Sequence, residues 1–83
     1  MSDPVVVDAR GLRCPAPVIR LARAARAASA GTRITVLATD PAAVHDVPAW
    51  ARMRGHAMVS STAEDGEYAL TVEVAETDEG PVP

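Results

Sequence analysis

Apolar residues come in short bursts along this chain, and the spacing within the bursts changes from one to the next. Val5-Val6-Val7 is a β-branched run and predicts a short first strand, too short for alternation to assign its faces. Gly11 then supplies a turn. From Pro15 to Ala28 the spacing becomes helical: at about 100° per residue, Val18, Leu21, Ala22, Ala25 and Ala28 share one face, Arg20, Arg23 and Arg26 line another, and Ile19 falls among the arginines. Gly31 lies beyond the end. Arg33 to Thr39 alternates strictly, with Ile34, Val36 and Ala38 on one side and Thr35, Leu37 and Thr39 on the other, and predicts a second strand. Asp40-Pro41 is a cap followed by a first-turn proline. Pro48 would break a helix continuing from there, losing a hydrogen bond and clashing with the carbonyl of Val44. The expectation is one turn over Pro41 to Val44, then a fresh helix with Asp46 as its cap, running to Arg54 and ended by Gly55. Trp50 and Met53 on that helix are expected to pack in or at the rim of the core. Residues 57–63 and 67–75 make a hairpin around Asp65-Gly66, with Tyr68, Leu70, Val72 and Val74 toward the helices and Thr71 and Glu73 toward solvent.

The order strand-helix-strand-helix-strand-strand predicts an α+β domain: a two-layer α/β sandwich with both helices on one face of a mixed four-stranded sheet. One domain over residues 1–75 accounts for it, and residues 76–83, Glu-Thr-Asp-Glu-Gly-Pro-Val-Pro, read as a disordered acidic tail. The chain has 83 residues, no Phe, one Trp and one Tyr, so the core must be aliphatic. No stretch approaches the ~20 apolar residues of a membrane span, and nothing resembles a signal sequence. A cytoplasmic protein that does not engage a membrane is expected.

Chemistry concentrates on the one cysteine, Cys14, in Arg13-Cys14-Pro15-Ala16-Pro17 at the head of the first helix. A lone Cys can be a small buried hydrophobe. The two prolines, the helix start and Arg13 favour a reactive thiol instead. At a helix mouth the dipole and the unpaired amides of Ala16 and Val18 should stabilise a thiolate, with Arg13 and Arg10 adding positive charge. A single Cys excludes an internal redox pair, and with only His45 and His56 besides, a cysteine-rich zinc site is excluded too. No metal or cofactor is expected, and both histidines read as surface or loop-packing residues. Asp8 and Gly11 read as loop-shaping residues, a carboxylate that holds the turn and a residue free to take positive φ.

The run from Val7 to Val18, containing Gly11-Leu12-Arg13-Cys14-Pro15-Ala16-Pro17, followed by Asp40-Pro41, Asp46-Val47-Pro48-Ala49-Trp50 and Gly55-His56, resembles the TusA/SirA-like family of small sulfur carrier proteins. The likeness spans roughly residues 5 to 75. It implies a persulfide on Cys14, loaded by a donor such as a cysteine desulfurase and handed to an acceptor protein, in tRNA thiolation, molybdenum-cofactor assembly or sulfur metabolism. Arg13 and the helix-end amides would stabilise that persulfide. Ala16 stands where relatives serving tRNA thiolation often carry an acid, and Ala51 where some carry a second Cys.

Charge is distributed more tellingly than its sum of -3 suggests. All eight basic residues are Arg, and the stretch from Arg10 to Arg33 contains no acid, while the C-terminal third is acidic. Ile19 within the rim of Arg20, Arg23 and Arg26 is a candidate docking point for an acidic partner. Two other classes compete with a monomeric sulfur carrier. A thiol-based redox sensor would use the same cysteine through a disulfide or sulfenic acid. A regulatory or nucleic-acid-binding module would use the arginine face without Cys14, but the acidic total and the lack of stacking aromatics argue against nucleic acid.

Overall fold

The computed structural model describes residues 3–75, so the expected acidic tail lies outside the described residues. The elements follow in the order β1 (Val5–Ala9), α1 (Ala16–Ala27), β2 (Arg33–Ala38), α2 (Ala43–Arg54), β3 (Ala57–Glu64) and β4 (Glu67–Glu73). They form a four-stranded sheet in the order β1-β2-β4-β3. β1 runs parallel to β2 with Val5 opposite Ile34 and Ala9 opposite Ala38, as a crossover through α1 requires. β4 is antiparallel to both β2 and β3, so the sheet is mixed.

Alternation decides which face is covered. Ile34, Val36, Ala38, Leu70 and Val72 are fully buried against the helices, where α1 contributes Leu21 and Ala25 and α2 contributes Val47, Trp50 and Ala51. Pro17, which the helical periodicity left off the apolar face of α1, is buried with them. The opposite face carries Thr35 and Thr71, whose hydroxyls lie 2.7 Å apart across the β2–β4 pair, and an exposed Val6. At the outer edge β3 is lined by Ser60, Ser61, Thr62 and Glu64, polar residues suited to a strand paired on one side only, with a register shift between Met58 and Ser60.

The second helix differs from expectation. It is continuous from Ala43 to Arg54 with Pro48 inside it, and Asp46 is part of its first turn rather than the cap of a new one. The chain enters through successive tight turns: the amides of Ala43, Val44 and His45 donate to the carbonyls of Asp40, Pro41 and Ala42, and the Asp46 amide donates to Ala42. Asp40 braces the turn that leads into the helix, its carboxylate accepting from the Ala42 amide at 3.0 Å, while the cap residue Ala42 itself has no side-chain cap. Pro48 removes one donor, but Val47, Trp50 and Ala51 are buried on both sides of it, and that packing outweighs the local preference for a break. Gly55 ends the helix as expected, at φ 83°, a left-handed conformation that costs a side-chain-bearing residue more.

Candidate active site around Cys14

Two loops meet at the carboxyl ends of the parallel strands, the region where open α/β sheets bring chain segments together around ligands. The β1–α1 loop turns at Gly11, at φ 82°, and its amide donates to Thr39 Oγ1 at 2.8 Å. Asp8 holds the same loop by accepting from the Arg10 amide at 3.1 Å and from the Arg10 guanidinium at 2.9 Å. That pairing keeps the Asp8 carboxyl down at about 2. Loop shaping by Asp8 and Gly11 is therefore visible in the contacts. Arg10, by contrast, spends its charge on Asp8 and on Glu67 rather than near the thiol.

Cys14 is exposed, immediately before the proline that starts α1, and its peptide bond to Pro15 is cis. Two acidic residues reach it, Asp40 from the turn before α2 and Asp46 from the first turn of α2. The Cys14 amide donates to Asp40 Oδ2 at 2.8 Å, and its thiol Sγ donates to Asp46 Oδ2. These contacts overturn the expectation of a stabilised thiolate. The hydrogen bond to Asp46, partial desolvation and the nearby charges of Asp46 and Asp40 all push the thiol above its ordinary range. The amide of Ala16, one of the two expected to face the sulfur, donates instead to the Arg13 carbonyl at 2.8 Å. Arg13 is exposed, and its charge helps to hold the Asp40 carboxyl low, after the hydrogen bonds from Cys14 and Ala42.

Beside the sulfur lies a shallow, mostly apolar depression of about 270 Å³ walled by Pro15, Val18, Ala49, Trp50 and Met53. Trp50 is buried and its ring packs against that of His56 in a tilted arrangement, with centroids 4.9 Å apart. His56 is itself buried and accepts from the Ala75 amide at Nδ1, 2.8 Å away, a packing role between α2 and the end of β4. Met53 is 78% exposed on the rim of the depression, not packed in or at the rim of the core as expected. Ile19 is 47% exposed among Arg20, Arg23 and Arg26, all exposed along α1.

Read from the sequence, Asp46 is a helix cap with no link to Cys14; the structure joins the two. A signal was available: in a strand-helix-strand unit the loops after two parallel strands are neighbours, so acids following β2 fall beside a cysteine following β1. Among the described residues there is no group of three or more His, Cys, Asp or Glu able to hold a metal ion, and no helix long and apolar enough to cross a membrane.

An exposed single thiol, fixed by its own loop and by the next one on a βαβαββ sandwich, defines a small single-cysteine domain of the SirA-like fold. Comparison with known proteins agrees at the level of fold and of sequence. The family described as "Sulfurtransferase TusA" matches residues 5–74. The sulfur carrier protein TusA of Allochromatium vinosum is 36% identical over 66 residues, covering 80% of this chain and 87% of that protein. A putative sulfur carrier protein of Neisseria meningitidis serogroup A is 37% identical over 67 residues, covering 81% and 90%. The crystal structure of a SirA-like protein from Desulfitobacterium hafniense superposes with a TM-score of 0.76 at 30% identity, covering 87% of this chain and 99% of that one. The chain belongs to the TusA family of sulfur carrier proteins, and that membership implies a sulfur donor and a sulfur acceptor as its partners.

Proposed function

We propose that this protein is a cytoplasmic, monomeric sulfur carrier that takes sulfur as a persulfide on Cys14 from a donor such as a cysteine desulfurase and passes it to an acceptor protein. The observation that carries the reading is the exposed Cys14 sulfur at the edge of an apolar depression, reachable by another protein's sulfur. Loading is an exchange of one S–S bond for another. The Cys14 sulfur attacks the outer sulfur of the donor persulfide, the donor's inner sulfur leaves, and donor thiol and Cys14 persulfide result without net oxidation. No resident cofactor is required.

Pro15, Ala16 and Pro17 start α1 directly behind the sulfur, and Arg13 is the cation nearest in the chain to balance an anionic persulfide. Ile19 with Arg20, Arg23 and Arg26 forms an exposed basic rim for an acidic donor or acceptor. Delivery is to tRNA thiolation, molybdenum-cofactor assembly or sulfur metabolism. With Ala16 in place of the acid common among tRNA-thiolation relatives, the latter two are favoured. The test is transfer of radiolabelled sulfur from cysteine through a cysteine desulfurase. Label on the wild-type chain and none on Cys14→Ser supports the carrier; equal label on both would sink it.

A further inference from the structure

The thiol of Cys14 is hydrogen-bonded to a carboxylate 32 residues away, and that carboxylate is held in place by its own helix. Asp46 is half-buried on the first turn of α2, its amide tied to the Ala42 carbonyl at 2.9 Å, while Asp40 grips the Cys14 amide from the turn just before. The side chain of the cysteine is thus fixed from α2 and its backbone from the turn that precedes α2. The two acids are the charged groups that act on the sulfur, and both disfavour its ionised form. A nucleophile kept as a neutral thiol needs a base at the moment of attack. One is already bonded to its proton.

We propose that Asp46 is the general base of sulfur loading, taking the Cys14 proton as the new S–S bond forms. The proposal rests on the carrier reading and deepens it. As Sγ approaches the outer sulfur of the donor persulfide, electron density leaves Sγ and its proton becomes acidic enough to move to Asp46 Oδ2. The donor S–S bond breaks, its inner sulfur departs as a thiolate, and the proton on Asp46 passes to that thiolate directly or through water. Donor persulfide and Cys14 thiol become donor thiol and Cys14 persulfide, with atoms, electrons and protons in balance and Asp46 again ionised. The arrangement keeps the thiol quiet toward passing oxidants and electrophiles and activates it only where a donor sulfur is presented.

The test separates two quantities that a merely electrostatic role would move together. The fraction of thiolate is read from its ultraviolet absorbance against pH, with Cys14→Ser subtracted to remove the tyrosine contribution. Loading is read as the rate of sulfur uptake from glutathione persulfide at neutral pH. In Asp46→Asn the thiolate midpoint should fall, yet loading should slow by about tenfold or more, within the range a positioned base contributes. Asp46→Glu, which keeps a carboxylate on a longer arm, should recover part of the rate. Thermal melts of both variants identify any loss of fold, and in that case the Asp46→Glu rate against Asp46→Gln decides on the same terms. If Asp46→Asn loads as fast as wild type or faster, Asp46 only holds the thiol protonated and the proposal is overturned while the carrier reading stands. Wild-type protein that takes up no sulfur from any persulfide donor removes the carrier reading and the proposal together.

Discussion

Acidity at Cys14 is set from across the loop. Asp40 fixes the backbone amide and Asp46 the thiol, and Arg13, the adjacent residue, acts on Asp40. A thiol raised by neighbouring carboxylates is neutral at pH 7 and ionises only as the pH climbs past the ordinary value of about 8.5. Iodoacetamide modification of the wild-type protein should therefore rise with pH to a midpoint above that value, and Arg13→Ala should move the midpoint far less than Asp46→Asn does. A midpoint below the ordinary thiol value would mean that the helix end and Arg13 govern the sulfur after all. The place of Cys14, exposed at the head of α1, is legible from Cys14, Pro15 and Pro17 alone. Its acidity is not, because the groups responsible lie 26 and 32 residues away and only the fold brings them near.

At the scale of elements, α1 separates anchoring from display. Leu21 is fully buried between helix and sheet, while Ile19, two residues earlier, is 47% exposed on the basic face. Leu21→Ala should destabilise the domain by about 2–5 kcal/mol in urea unfolding, the usual cost of emptying a well-packed leucine site. Ile19→Ala should change stability by less than about 1 kcal/mol and leave its effect, if the rim docks a partner, to the transfer rate. Comparable losses at the two positions would contradict the assignment of faces. Periodicity read this helix well, since residues 18, 21, 22, 25 and 28 do form the packed or partly packed side. It failed at Pro48, where a local rule about proline met a tertiary contact it could not see: the buried row Val47, Trp50 and Ala51 that carries α2 straight through. Met53, expected in or at the rim of the core, is exposed instead.

Across the whole molecule, the strand order β1-β2-β4-β3 places the loops after β1 and β2 side by side and leaves the basic flank of α1 exposed nearby. The βαβαββ succession was readable from periodicity and turn residues such as Asp65-Gly66. That β4 inserts between β2 and β3 was not, since alternation fixes the face of a strand and not its neighbours. If the flank of Arg20, Arg23 and Arg26 steers an acidic donor, replacing all three by Gln should slow transfer from a loaded desulfurase severalfold at low salt and flatten its salt dependence, because exposed charges act within a screening length of about 8–10 Å. Melting should change little, Gln being nearly as good a helix former as Arg. Unchanged transfer at both salt levels would return the stripe to a solvated surface. The central claim, that Cys14 carries the sulfur, is tested most directly by the intact mass of the protein after incubation with a cysteine desulfurase and cysteine. The account predicts a gain of one sulfur atom, blocked by prior alkylation of Cys14 and absent in Cys14→Ser; no gain, or the same gain in Cys14→Ser, would contradict it.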